Sequence, residues 1–351
     1  MSIAPLPPTP IEKGRPAASL LAQVILSKYA DHLPLCRQQQ QFDRLGVHFP
    51  RQTLADWVEK GAAWLEPIVR EMKRNLLAGD YLQVDETPVK VLDPEVTGKA
   101  AQGYLWVMGR PRDDVIFEFH PGRGKEHAVA MLDGFQGYLQ RDGYGVYGSV
   151  VADWERAQKV LIPCGCWAHA RRKFVDAVDE DPAQAHWFIG EVRKLYRVEE
   201  YARAEGLSPA QRLALRQEKA PPILAAIKNQ LDALAPTLLP HSPLGKAVRY
   251  ALAEWEPLVR YLLDGRIEID NNLTENAIRP SAVGKKNYLF IGHPDAGWRS
   301  AVIYSVVVSC QRRKIDPWEY LRDVLTRLPA ATNQQLPDFV PARWQELRAN
   351  S

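Results

Sequence analysis

The chain has 351 residues, 46% of them hydrophobic and 25% charged, with a formal net charge of +3. These are ordinary globular values, and the length allows two or three domains with a sizeable core. Four scattered cysteines, Cys36, Cys164, Cys166 and Cys310, exclude a disulfide framework, and the longest strongly apolar stretch, 301–310, is far too short to span a bilayer. The N-terminus is proline-rich rather than basic and then apolar, so a soluble protein of a reducing cytoplasm is expected.

Residues 1–16 hold Pro5, Pro7, Pro8, Pro10 and Pro16 and predict a flexible arm. Residues 17–78 predict a helical region, because Leu20, Leu21, Val24, Ile25 and Tyr29 recur at helical spacing. Within it, a helix over 37–44, a turn at Leu45-Gly46 and a second short helix over 50–59 give a helix-turn-helix pattern. In that motif the second helix enters the DNA major groove, and Arg51, Gln52 and Thr53 at its start suit phosphate or base-edge contacts.

Residues 79–166 change character. Runs 81–85, 103–109 and 115–119 are short, β-rich and bounded by Gly, Pro and charge. A helix over 125–135, a strand over 138–142 stopped by Gly143, a short helical link and a strand over 159–164 follow. This order predicts an α/β fold with a mixed sheet and helices against it. Residues 167–265 predict a helical insertion, with helix starts at Ser208-Pro209, Pro221-Pro222 and Ser242-Pro243 and an end at Gly265. Residues 266–328 return to the core: a short capped helix over 271–279, an extended run over 288–291, an apolar helix over 298–312 and a final helix opened by Asp316-Pro317. Residues 329–351 form a polar tail.

Asp85 and Asp142 each end a β-type run, and Glu275 falls in the first turn of a helix. An acid in such a place must be solvated, paired or metal-bound. Two strand-borne aspartates and a helix-borne glutamate could meet at one edge of a sheet, and three hard oxygen donors suit Mg²⁺ or Mn²⁺. Two such ions would activate an attacking oxygen and stabilise a leaving one, which is phosphoryl-transfer chemistry. Taken singly, a strand-end Asp is more often a cap or turn residue, so the choice among 42 acids rests on local motifs.

Those motifs are Val84-Asp-Glu-Thr-Pro88, Leu139-Gln-Arg-Asp-Gly-Tyr144, Cys166-Trp-Ala-His-Ala-Arg-Arg-Lys-Phe174, Ile269-Asp-Asn-Asn-Leu-Thr-Glu-Asn-Ala-Ile-Arg-Pro280 and Val283-Gly-Lys-Lys-Asn-Tyr-Leu-Phe-Ile-Gly292. In this order they resemble the insertion-sequence-66 family of bacterial DDE transposases, from about residue 10 to about residue 328. The resemblance implies an RNase H-like core with a helical insertion before the last acid. It implies Asp85, Asp142 and Glu275 as catalytic and metal-binding residues, with two Mg²⁺ or Mn²⁺ ions. It implies DNA of the element ends and of the target as partner, a homo-oligomer, small accessory proteins of the same element and a nucleoid-associated location. Full-length members usually carry a cysteine-rich zinc module and a coiled coil ahead of this region. Here the chain begins at the proline-rich arm, and a truncated or internally started chain is the expectation.

Basic clusters supply the remaining candidates. Residues 159–174 carry Lys159, Arg171, Arg172 and Lys173 with no acid, and 276–328 carry nine Lys/Arg against four Asp/Glu. Arg171, Arg172 and Lys173 begin a helix in this reading and contact phosphate; Lys285 and Lys286 face DNA from a loop. Arg279, four residues after Glu275, orients that carboxylate or touches DNA. Cys164, Cys166 and His169 lack an evident fourth ligand and read as packing rather than zinc. The rival functions are a non-catalytic DNA-binding remnant and an RNase H-like nuclease that cuts without joining.

Overall fold

The structure is a computed structural model and describes residues 9–11, 16–96, 99–143 and 145–349. In chain order it forms helices α1 (Ala18–Tyr29), α2 (Leu35–Arg44) and α3 (Arg51–Leu77), strands β1 (Tyr81–Val91), β2 (Ala101–Gly109) and β3 (Val115–His120), and helix α4 (Lys125–Met131). Strand β4 (Gly137–Gln140), helix α5 (Gly145–Arg156) and strand β5 (Leu161–Cys164) follow. Helices α6 (Trp167–Val175), α7 (Pro182–Ala204), α8 (Pro209–Leu234), α9 (Pro243–Ala253) and α10 (Trp255–Val259) then run without a strand. The chain closes with α11 (Asn272–Tyr288), α12 (Gly297–Arg312), α13 (Pro317–Arg327) and α14 (Pro341–Ala349).

The five strands form one mixed sheet in the order β3-β2-β1-β4-β5, the mixed α/β sheet that the sequence predicts and an arrangement consistent with the RNase H-like core that the resemblance implies. Strands β2 and β3 are antiparallel, with Tyr104 opposite His120. Strands β1 and β4 are parallel with Gln83 opposite Gln140, and β4 and β5 are parallel with Gln140 opposite Cys164. Contacts divide the chain into two compact units, Met1–Gly79 with Asp85–Gly134 and Thr274–Ser351, and Asp80–Val84 with Phe135–Leu273.

The first unit is built on α12, which is buried continuously from Ala301 to Cys310. A helix that is apolar all round must be central, and α12 packs on β3, α3, α1 and α13. It also solves the problem of an edge strand. The backbone N–H of Val115 donates to Ser309 Oγ (2.9 Å) and that of Phe117 to Ser305 Oγ (2.8 Å), so two serines occupy donors that would otherwise template another strand.

Four expectations change here. The second helix of the predicted helix-turn-helix is not short: α3 runs 27 residues, and its Leu54, Val58, Leu65, Ile68, Met72 and Leu76 join the core. The turn itself is as expected, with Gly46 at φ +79° and Phe49 packed between Phe42 and Trp57. Helix α11 does not stop near Arg279 but continues through Pro280 to Tyr288. The run 288–291 is therefore not a strand. Leu289 takes a left-handed φ of +66°, which ends α11, and only Ile291 bridges, to Val91 of β1. The tail is not merely polar. Phe339 and Trp344 are buried, and Trp344 Nε1 donates to Asp323 Oδ2 of α13 at 2.8 Å. The predicted N-terminal arm lies mostly outside the described residues, but Pro10 is buried and its carbonyl accepts from Trp64 Nε1 at 2.6 Å.

The second unit holds the all-helical block. Its helices start where short polar side chains precede proline. Asp181 accepts from Gln184 N before Pro182, Ser208 forms a capping box with Gln211 before Pro209, and Ser242 accepts from Gly245 N before Pro243. Pro221-Pro222, expected to begin a helix, lies inside α8 instead. Two prolines there remove two ladder donors, but no capping side chain precedes them. Ala220, Leu224, Ile227 and Leu231 are buried on one stripe across them, and that burial outweighs the local cost. Trp167, Phe174, Phe188, Leu195, Val248 and Leu258 fill the centre of this core.

A charge is buried in it. Arg216 is 0% exposed and donates to both oxygens of Glu199 (2.6 and 2.9 Å) and to the carbonyls of Tyr261 and Ile267 (both 2.8 Å). Burial alone would raise the Glu199 carboxyl, but Arg216 and Arg212 outweigh it and hold the group below the usual carboxylate range. Every strong donor of Arg216 thus has an acceptor, the condition for tolerating a buried ion pair.

Candidate functional site

Asp85 is the fifth residue of β1, half-buried, and not at the strand's end, since β1 continues to Val91. Its Oδ1 accepts from the N–H of Glu86 at 2.8 Å. Strand alternation turns Glu86 to the opposite face, where it is buried and held by Arg123 through Nε at 2.8 Å and through Nη2. The two adjacent acids therefore differ in kind: Glu86 is a neutralised structural carboxylate. Thr87 shares the Asp85 face, and its Oγ1 accepts from Lys285 Nζ (3.0 Å), which also donates to Pro88 O (2.7 Å).

Lys285 and Lys286 belong to the last turn of α11 rather than to a loop. Lys285 is thus tied to β1, and its burial lowers the ammonium below its ordinary value. Lys286 and Arg279 are exposed. Glu275 sits in the first turn of α11, as expected, where its charge meets the positive end of the helix.

In the second unit, Asp142 lies two residues past β4. Arg141 is buried, pairs with Glu254 at 2.5 Å and donates from Nη1 to the Asp142 carbonyl at 2.9 Å, which fixes the backbone at that acid. The glycine that follows is required by space: a Cβ at Gly143 would run into the ring of Tyr250. Tyr144, part of the same motif, lies outside the described residues.

A buried amide network underlies this loop. Gln83 Nε2 donates to Gln140 Oε1 (2.8 Å) and to Asp270 O (3.1 Å), and Gln140 Nε2 donates to Glu268 O (2.7 Å) and Gly165 O (3.0 Å). Asn271 Nδ2 donates to Val84 O at 2.8 Å, and its backbone N–H to Cys166 Sγ at 3.3 Å. The segment that leads into α11 is therefore pinned to the residue just before Asp85. Sequence reading missed Gln83, Gln140 and Asn271. A polar residue repeated at the centre of two apolar strands was the available signal, because a buried amide must find partners.

Cys164 and Cys166 are buried free thiols, and burial pushes the Cys164 thiol up to about 12.

Arg171, Arg172 and Lys173 do not begin α6. It starts at Trp167, and they fall in its second half, with Arg172 and Lys173 in the last turn, where cations suit the helix dipole. All three are exposed, and Lys173 Nζ lies 5.8 Å from the Tyr250 ring centre. Arg171 and Arg172 line a cavity of about 640 Å³ together with Ile189, Arg193, Tyr196 and Asn272. No acid lines it. Two of its lining residues, Tyr196 and Asn272, are held by Asp270, whose Oδ2 accepts from Tyr196 OH and Asn272 Nδ2, both at 2.7 Å. Arg193, one turn before Tyr196 on α7, was not anticipated. Three guanidinium groups around one hollow favour a polyanion.

At the start of α3, Arg51 and Gln52 are exposed and Thr53 half-buried, with Gln52 donating to Asp56 at 2.8 Å. No described helix is long and apolar enough to cross a membrane.

Comparison with known proteins gives a match to the Transposase IS66 family over residues 13–299 and to the IS66 C-terminal element over residues 305–342. Uncharacterized protein y4qI of Sinorhizobium fredii (strain NGR234) is 35% identical over 331 residues, covering 91% of this chain and 60% of that protein. Uncharacterized protein y4jD of the same organism is 31% identical over 354 residues, covering 97% of this chain and 69% of that protein. The chain therefore spans between 60% and 69% of the length of these two relatives.

Proposed function

The chain belongs to the IS66 transposase family, and from that premise we propose that it cuts and joins DNA phosphodiesters with Asp85, Asp142 and Glu275 as its metal ligands. DDE transposases generally use a divalent metal. The donor set fits such an ion, because three carboxylates are hard oxygen ligands. When bound, two Mg²⁺ or Mn²⁺ ions would activate the attacking oxygen and stabilise the leaving one.

One observation carries the reading. Asp85 and Asp142 each lie two residues beyond a register pair, Gln83 and Gln140, on parallel strands. The hydrogen bond from Asn271 to Val84 brings the chain that precedes Glu275 by one helical turn to the same strand. The protein's own part is then to hold three acids on rigid elements. Arg171, Arg172, Lys173, Arg193 and Arg279 bind the phosphate backbone, Lys286 extends that surface, and Arg51, Gln52 and Thr53 contact DNA from α3. Lys285, through Thr87, steadies the Asp85 face. Two DNA ends require at least a dimer, and accessory proteins of the element are further partners.

The test is Mg²⁺- or Mn²⁺-dependent nicking and strand transfer on DNA carrying the element ends. Asp85→Ala, Asp142→Ala and Glu275→Ala are each expected to fall more than about 100-fold, beyond the loss usual for an outer-shell partner, while DNA binding persists. A wild type that binds but never cuts makes this chain a binding remnant. One that cuts but never joins makes it a nuclease.

A further inference from the structure

Beside the start of α3 lies a second cavity, of about 340 Å³, lined by Lys28, Arg51, Gln52, Tyr288, Phe290 and Arg299 among others. Its position would mark it only as a helix end, but three independent features point to a ligand. Lys28 is half-buried and has no hydrogen bond or ion pair among the described residues; its ammonium faces the rings of Tyr288 (4.4 Å) and Tyr29 (5.4 Å). A cation withdrawn from water without a carboxylate is costly, and an incoming anion would offset that cost. The Nε of Arg299 is also buried without a partner, although its Nη2 meets Glu59 at 3.0 Å. Phe290, just past the left-handed Leu289, keeps 39% of its surface exposed at the rim.

The first-turn N–H groups of α3 add to this. The N-cap is Pro50, which supplies no side-chain acceptor, so these donors await one. Cations, helix donors and an aromatic face in one hollow match the two halves of a nucleotide, a phosphate and a base. A base can reach Phe290 inside a pocket only when it is unpaired. The volume is at the small end of ligand pockets and takes one nucleotide rather than a duplex.

We propose that this pocket binds one unpaired nucleotide of a DNA strand, its phosphate held by Lys28, Arg51 and the α3 N-terminus and its base laid on Phe290. The proposal rests on the reading that the chain handles DNA, and it converts Arg51 and Gln52 from groove-reading residues into the rim of a single-strand site.

The experiment compares binding of a fluorescein-labelled single-stranded dT decamer with that of an element-end duplex by anisotropy, for wild type, Phe290→Ala, Arg51→Gln and Lys28→Met. Phe290 and Arg51 are exposed, so their variants keep the fold if Lys28→Met does not. Phe290→Ala is expected to weaken decamer binding about ten-fold, as loss of a stacked base does, and duplex binding less than about two-fold. Photocrosslinking of a bromodeoxyuridine decamer should mark the peptide containing Tyr288 and Phe290. If the variants bind the decamer as wild type does while the duplex still binds, the pocket assignment is wrong and the DNA reading stands. If thymidine monophosphate alone binds as tightly as the decamer, the ligand is a free nucleotide and the strand assignment falls. If wild type binds neither DNA, both readings fall.

Discussion

Single residues in this protein carry costs that only a function would repay. Lys28 is the clearest. Burial lowers its pKa from 10.5 to about 8, with Cys36 as a weaker opposing influence. Between those two values the unfolded chain binds more protons than the folded one, so stability rises with pH across about 8 to 10.5 and the penalty is fully present below 8. The tyrosine faces offset part of it. Lys28→Met is therefore expected to stabilise the protein by roughly 1–3 kcal/mol at pH 7, with the gain shrinking towards pH 11, as read from urea unfolding at both pH values. An unchanged midpoint at pH 7 would show that the ammonium is not strained. Asn271 works in the opposite sense: it is buried, and its amide positions the approach to α11. Asn271→Ala should lower nicking about 10–100-fold through kcat, with DNA affinity unchanged; equal loss of both would reduce it to a folding residue.

At the scale of elements, the helical block between β5 and α11 is organised around polar groups as much as around its aromatic core. Arg216 on α8 and Glu199 on α7 join two helices to the carbonyls of the segment 261–267. Removing one partner leaves the other charge buried. Arg216→Met should cost about 3–5 kcal/mol in urea unfolding, and the double variant with Glu199→Met should recover much of it. A loss of under about 1 kcal/mol in the single variant would mean that water reaches the pair. Apolar burial explains why α8 survives Pro221 and Pro222. Local propensity is worth a few kcal/mol, and a stripe of fully buried aliphatic side chains exceeds it.

For the molecule as a whole, the net charge of +3 says little, whereas the placement of charge says much. With arginines from α6 and α7 around one cavity and further cations on α3 and α11, DNA binding should weaken steeply with salt. The expected slope of log K against log[salt] is about −4 or steeper for duplex DNA, and Arg193→Ala should reduce it by about one. A flat response would remove phosphate contact from the reading. Much of this was legible without coordinates. The acids remain candidates chosen by their motifs, whereas helix starts at Pro209, Pro243 and Pro317 follow from the Ser or Asp before each, and the strands follow from short β-rich runs between turn residues. Those features depend on a few consecutive residues, so sequence alone determines them. Tertiary structure decided what sequence could not. It set the register of Gln83 against Gln140, the bond between Asn271 and a strand 187 residues earlier, the burial of Lys28 under Tyr288, and the meeting of Arg193 with Arg171. Each joins groups far apart in the chain, and such a pairing exists only after packing has repaid the entropy of closing the loop between them.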